Sequence, residues 1–166
     1  MLHIAKISLL AILFATVMAG TSRAEITTTN CGAPIQSSII TRNELFETSS
    51  TNFVRIRGAV STVTVPAGQT RCVKVRFTGG VTCKGGSGNE VCFIRALAGG
   101  EEMHPQANGN QGLSGRLMRP TGLGFQWVRR LGAGQHIIHI QVRTLDLPET
   151  VTLGINDWMM DVEVLN

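Results

Sequence analysis

GQHIIHIQV, residues 134–142, is the stretch of sequence that decides the fold class. Ile138, Ile140 and Val142 share one parity in it, whereas His139 and Gln141 share the other. Because successive side chains of a β-strand point to opposite faces, this alternation predicts a strand with one face in a core and the other in solvent. We therefore expect His139 to be exposed and the rest of the chain to supply strands that cover the apolar face.

The same alternation recurs in short stretches bounded by turn-forming residues: 52–58, 61–65, 71–78, 91–98, 113–118, 123–131, 151–155 and 158–164. Asn156-Asp157 is interpreted as the turn between the last two. Residues 42–48 carry a weak helical pattern that is too short to predict a helix. Eight to ten short strands predict an all-β fold, an antiparallel β-sandwich with a jelly-roll-like topology, and a closed barrel is the alternative.

The N-terminus has the pattern of a secretory signal peptide. A weakly basic start precedes a mostly apolar run over residues 7–20, which is too short for a membrane-spanning helix. Small residues at Ser22 and Ala24 predict cleavage after Ala24. We expect residues 1–24 to be removed and residues 25–166 to form one domain with no membrane span, secreted or periplasmic. An uncleaved anchor is the alternative.

The charge of the chain does not point to a nucleic-acid partner. Removing Lys6 and Arg23 from the 15 basic residues leaves 13 against 11 acidic ones in the expected mature chain. This near balance is not the electrostatic footprint of a nucleic-acid-binding protein. The sequence also lacks a phosphate-binding loop and an HExxH motif, so we predict no cofactor.

Four cysteines remain after the expected cleavage: Cys31, Cys72, Cys83 and Cys92. An even number in an exported chain predicts two disulfides, with three possible pairings. The glycine-rich stretch 84–90 favours Cys83–Cys92, because it lets the ends of a short loop meet, and Cys31–Cys72 is then the second bond. A zinc site is the alternative, although the spacing contains no C-x-x-C pair.

Several short stretches follow one another in a distinctive order: STNFV at 50–54, VTVPAGQ at 63–69, VRF at 75–77, Cys83 and Cys92 followed by Arg95, GEEMHP at 100–105, GAGQH at 132–136, and NDW at 156–158 followed by Met160, Val162 and Glu163. In this order they resemble an uncharacterised family of small secreted bacterial β-sandwich proteins. The last two stretches are also loosely similar to jelly rolls of the complement C1q and tumour-necrosis-factor type. The resemblance covers most of the expected mature chain. It implies a β-sandwich, the Cys83–Cys92 bond and a possible homo-oligomer, but no known activity.

One polar loop is a candidate for metal or acid–base chemistry. Glu101, Glu102 and His104 lie together beside Pro105. Two carboxylates and an imidazole are able to hold a cation or to act as general acid and base. A metal-dependent or acid/base hydrolase using this loop is therefore one hypothesis, and a solvated turn between strands is the alternative.

A basic stripe is the second candidate, formed by outward-facing residues of two predicted strands: Arg55, Arg57, Lys74 and Arg76. If those strands are neighbours, the stripe is able to bind an anionic glycan, a lipid headgroup or nucleic acid. Asp161 and Glu163 point outward from another strand and are able to interleave with it. In that case the surface carries mixed charge.

The remaining candidates favour structural roles. His136 and His139 have opposite parity on one strand, so they cannot share a metal ion, and we predict no metal site. Trp127 and Trp158 fall on apolar faces, so we expect them in the core and not on a sugar-stacking platform. The preferred hypothesis is a secreted, non-enzymatic binding or structural module for an unidentified extracellular glycan or protein.

Overall fold

The fold is built from β-strands. A computed structural model describes residues 31–85, 91–106, 112–114, 117–145 and 150–166, and the expected signal peptide, residues 1–24, lies outside them. The described residues form ten strands: β1 (Pro34–Arg42), β2 (Phe46–Thr48), β3 (Val54–Val65), β4 (Arg71–Lys84), β5 (Val91–Ala98), β6 (Glu101–Glu102), β7 (Gly112–Ser114), β8 (Leu117–Leu131), β9 (Gly134–Thr144) and β10 (Thr152–Leu165). These ranges contain no helix, so the all-β prediction is confirmed, and none of the described residues forms a helix able to cross a membrane.

Two antiparallel sheets pack face to face. Sheet A has the order β1-β10-β4-β8, with β2 also paired to β10. Sheet B has the order β3-β9-β5-β6, with β7 also paired to β5. The long strands from β3 onward alternate between the two sheets, as in a jelly roll. The predicted antiparallel sandwich is confirmed, and two separate sheets take the place of the closed barrel.

The core between the sheets consists of the predicted apolar rows. Ile138, Ile140 and Val142 of β9 have no exposed surface. Trp127 and Trp158 are each 2% exposed, as their parity predicts, and they come from the opposite sheet. Burial of such large side chains supplies most of the favourable free energy of folding.

Two strands that the sequence divides are continuous in the structure. Strand β3 passes through Gly58, whose φ of 81° accompanies a shift in register against β9. Strand β10 passes through Asn156 and Asp157, where the register against β4 shifts and Asp157 has a φ of 46°. The turn predicted at Asn156-Asp157 is therefore wrong, because residues with turn chemistry also form β-bulges inside a strand.

Both predicted disulfides are present, with Cα–Cα distances of 5.6 Å for Cys31–Cys72 and 6.1 Å for Cys83–Cys92. Cys83 lies on β4 of sheet A and Cys92 on β5 of sheet B, and both are buried. This bond therefore joins the two sheets through the core. Two disulfides suggest an oxidising environment, periplasmic or extracellular.

The outer face of sheet A carries paired charges. The register places Lys74 opposite Glu163 and Arg76 opposite Asp161. Lys74 forms an ion pair with Glu163, and Arg76 lies 3.3 Å from Glu163 and 3.6 Å from Asp161. The hydrogen bond from Lys74 is the main cause that lowers the pKa of Glu163, against the opposing effect of burial. The predicted interleaving of Asp161 and Glu163 with these basic residues is confirmed.

Glu163→Gln tests this ladder. We expect the free energy of unfolding at pH 7 to fall by about 1 kcal/mol, because Lys74 and Arg76 lose their carboxylate. The pKa of Glu163 lies below its ordinary value of 4.5, so its stabilisation is present above that pH and is lost as the pH falls through the folded-state pKa. Urea unfolding at pH 7 and pH 3.5 should therefore show a smaller difference between variant and wild type at the lower pH.

The matched control is Glu44→Gln, which removes an ion pair with Arg42 in which both side chains are largely exposed. We expect this control to change stability by less than about 0.5 kcal/mol. An equal effect of the two substitutions, or an effect of Glu163→Gln that does not depend on pH, would contradict the role of the ladder.

Candidate anion-binding face

The outer surface of sheet B collects arginines from three strands. Arg55 of β3 lies opposite Gln141 of β9, which in turn lies opposite Arg95 of β5. We call the outward-facing set of this sheet the arginine face: Arg55, Arg57, Arg95, His139, Gln141 and Arg143. Its members point outward because they alternate with buried residues of the core along each strand.

Two of the arginines are held by aromatic rings. The Arg143 guanidinium lies 4.4 Å from the ring centroid of Phe93 and 5.1 Å from that of Phe53, and the Arg95 guanidinium lies 3.7 Å from the centroid of Phe53. Such cation–π contacts stabilise a guanidinium in one orientation. The Nε of Arg143 is also buried, without a hydrogen-bond partner in the part of the chain that the structure describes. The arginine face therefore presents two guanidinium groups in fixed positions.

The charge of the arginine face is unbalanced. Among the described outward-facing side chains of β3, β5, β6 and β9, the one carboxylate is Glu102, whose Oε2 lies 3.2 Å from Nη1 of Arg95. Arg55 and Arg57 are exposed and form no ion pair or hydrogen bond with any described residue. Arg55 and Arg57 thus lack an acidic partner within the described residues, on the same face as the two arginines that the aromatic rings hold in place.

His139 belongs to this face. The prediction that it is exposed is wrong, because only 4% of its surface is accessible. It sits on the second strand of the sheet, with Val60 opposite it on one side and Leu97 on the other. Burial, followed by the nearby charges of Arg55 and Arg95, lowers the pKa of His139. The imidazole is therefore neutral at pH 7, and its Nδ1 is buried without a hydrogen-bond partner among the described residues.

The predicted basic stripe is not assembled. Arg55 and Arg57 lie on β3 of sheet B, whereas Lys74 and Arg76 lie on β4 of sheet A. Strand β3 pairs with β9 and not with β4, so the condition for a stripe is not met. The two halves face opposite sides of the sandwich, and the half on sheet A is neutralised by acidic residues.

The polar loop closes one side of the sandwich. The backbones of His104 and Val128 exchange hydrogen bonds of 3.0 and 2.7 Å between the edges of the two sheets. Arg129 of sheet A binds the carboxylate of Glu101 and donates a 2.7 Å hydrogen bond to the backbone carbonyl of Glu102. These contacts join β6 to β8 and fix the loop as a structural link.

The two carboxylates of this loop do not converge. Glu101 turns to Arg129 and Glu102 to Arg95, on opposite sides of β6. No group of three or more potential metal ligands is present among the described residues. The arrangement that the hydrolase hypothesis requires, with these side chains meeting in one pocket, is therefore not formed by Glu101, Glu102 and His104.

A cleft of about 280 Å³ opens on the other side of the sandwich and is lined by Arg42, Glu44, Leu45, Phe46, Glu47, Arg57 and Trp158. Its arginines are matched in number by its glutamates, and Arg42 lies 3.5 Å from Glu44. Arg57 belongs both to this lining and to the arginine face. The arginine face therefore borders a cleft in which basic and acidic side chains are equal in number.

His139→Gln tests whether the imidazole is held neutral. The pKa of His139 lies below its ordinary value of 6.5, so below that pH the unfolded chain binds a proton that the folded chain excludes. Its contribution to stability is complete above pH 6.5 and is lost as the pH falls through the folded-state pKa. Urea unfolding at pH 7.5 and 5.5 should show a smaller loss of stability on acidification in the variant than in the wild type.

The exposed His104 provides the control for this measurement, since His104→Gln should leave the loss on acidification as it is in the wild type. If wild type and His139→Gln lose the same stability between the two pH values, the neutral buried imidazole is refuted.

No known protein-family model matches this chain, and a search of curated proteins found no match. The function is therefore inferred from the geometry and charge of the residues themselves. In those terms the arginine face is the strongest candidate site in the described part of the chain.

Proposed function

We propose that this protein is an extracellular, non-enzymatic binding module that takes an acidic glycan on the arginine face. One observation carries the proposal. Arg55 and Arg57 have no acidic partner among the described residues, and Arg55 lies across Gln141 from Arg95, which Phe53 holds in place. Guanidinium groups bind carboxylate and sulfate groups through paired, charge-assisted hydrogen bonds.

The shape of the face favours an extended polyanion over a protein partner. Its charges are spread along β3 and across three strands, on an open sheet surface. Protein interfaces depend on aromatic side chains that enter pockets of the partner. Phe53 and Phe93 do not have that freedom here, because arginines stack on both and Phe93 is 4% exposed.

Export of the chain is part of the proposal. The N-terminal pattern of residues 1–24 supports it, and so do the two disulfides, which persist in oxidising compartments. Glycans with carboxylate or sulfate groups are ligands that an exported module meets outside the cytoplasm.

Retention on immobilised heparin tests the proposal. The double variant Arg55→Gln/Arg57→Gln should elute at lower salt than the wild type and bind a heparin oligosaccharide about tenfold more weakly, because two charge-assisted contacts are lost. Raising the salt concentration should weaken the binding of the wild type, since exposed charges are screened.

The control Lys84→Gln/Arg130→Gln makes the same change in net charge on sheet A and should be retained like the wild type. If both double variants weaken heparin binding equally, net charge alone explains the effect and the arginine face is not the binding site. Polyglutamate that competes as well as a sulfated oligosaccharide would show that the ligand class is wrong.

A further inference from the structure

The hydrogen bonds around Gln141 define the proton position on His139. The Oε1 of Gln141 accepts hydrogen bonds from Nε and Nη2 of Arg95, at 3.0 and 2.7 Å. The Nε2 of the same amide lies 3.3 Å from Nε2 of His139. An amide nitrogen only donates, so the imidazole Nε2 must accept, and the neutral ring carries its proton on Nδ1.

Protonation of His139 is incompatible with this arrangement. A charged imidazole donates from both nitrogens, so its Nε2–H would face the donor Nε2 of Gln141. Turning the amide end for end places Oε1 against His139 and restores that hydrogen bond. The same rotation moves Oε1 away from Arg95, so that Nε and Nη2 of Arg95 lose their hydrogen-bond acceptor.

We propose that His139, Gln141 and Arg95 form a proton-operated relay, in which protonation of His139 turns the Gln141 amide and releases Arg95 to bind an anionic group of the ligand. The released guanidinium remains stacked on Phe53 and close to Glu102, so it does not need to be repositioned. The inference rests on the proposed function, since it concerns the same face and the same acidic glycan.

The groups around His139 explain why its imidazole is neutral when no ligand is bound. Arg55 from β3 and Arg95 from β5 are both cationic and oppose its protonation, as does burial, and both arginines lower its pKa. Glu102 on β6 is the carboxylate of this face, and it is paired with Arg95. An anion bound among these arginines offsets their charge, so anion binding and proton uptake favour each other.

Heparin-oligosaccharide affinity at pH 7.5 and 5.5, measured by calorimetry at constant ionic strength, tests the relay. The wild type should bind several-fold, up to about tenfold, more tightly at pH 5.5, because an anion bound among the arginines raises the pKa of His139. His139→Gln should lose this gain, whereas His104→Gln should keep it. NMR titration of the His139 ring in the wild type, which needs no variant, should show a higher pKa with the oligosaccharide than without it.

Three results would overturn the inference in distinguishable ways. Heparin binding with the same pH dependence in wild type and His139→Gln removes the relay and leaves the arginine face as a binding site. If heparin binds but does not change the pKa of His139, the relay is likewise refuted and the binding site is retained. This result does not depend on the folding of any variant. Absence of heparin binding by the wild type at both pH values overturns the relay together with the proposed function.

Discussion

The alternation of side chains along β9 ties the core of this protein to its candidate site. Ile138 and Ile140 point into the sandwich, so His139 and Gln141 between and after them must point out. Since β9 lies between β3 and β5, its outward side chains are flanked on both sides by those of neighbouring strands. A shift of one residue in the register would move the arginine face into the core and the core to the surface.

The outer faces of the two sheets differ in how their charges are balanced. On sheet A, Lys74 and Arg76 lie opposite acidic residues of β10, and the pairs stabilise the sheet. On sheet B, arginines of neighbouring strands lie close together with little acidic compensation, an arrangement that destabilises a sheet. The shared core and the Cys83–Cys92 bond between the sheets offset this cost. A cluster of like charges with so little acidic compensation, maintained at the expense of stability, is typical of a functional surface.

Local patterns predicted what depends on local physics. Strand periodicity identified the sandwich and the burial of Trp158, and loop length favoured the Cys83–Cys92 bond. Strand periodicity and loop length are both properties of residues that lie near one another in the chain. Bulges were misread for the same reason, because the chemistry of Asn156 and Asp157 suits a turn as well as a bulge and only the partner strand distinguishes them.

The candidate site depends on strand order, which no local pattern contains. Arg55 was placed with Lys74, although the chain crosses to the other sheet between them. Its actual neighbour across β9 is Arg95, forty residues later. The burial of His139 likewise comes from Val60 and Leu97 on separate strands. The sequence contained only a weak sign of the arginine face. Arg143 shares the parity of His139 and Gln141 on β9, which indicates a polar face but not which strands lie beside it.

The most direct test of the account is a map of the surface that an acidic glycan contacts. A ¹H–¹⁵N NMR titration of the oxidised protein with a heparin oligosaccharide reports on both faces in one experiment. The account predicts that the largest shifts lie in β3, β5 and β9, around Arg55, Arg95 and Gln141. Shifts confined to sheet A, around Lys74 and Arg76, or no shifts at all would contradict it.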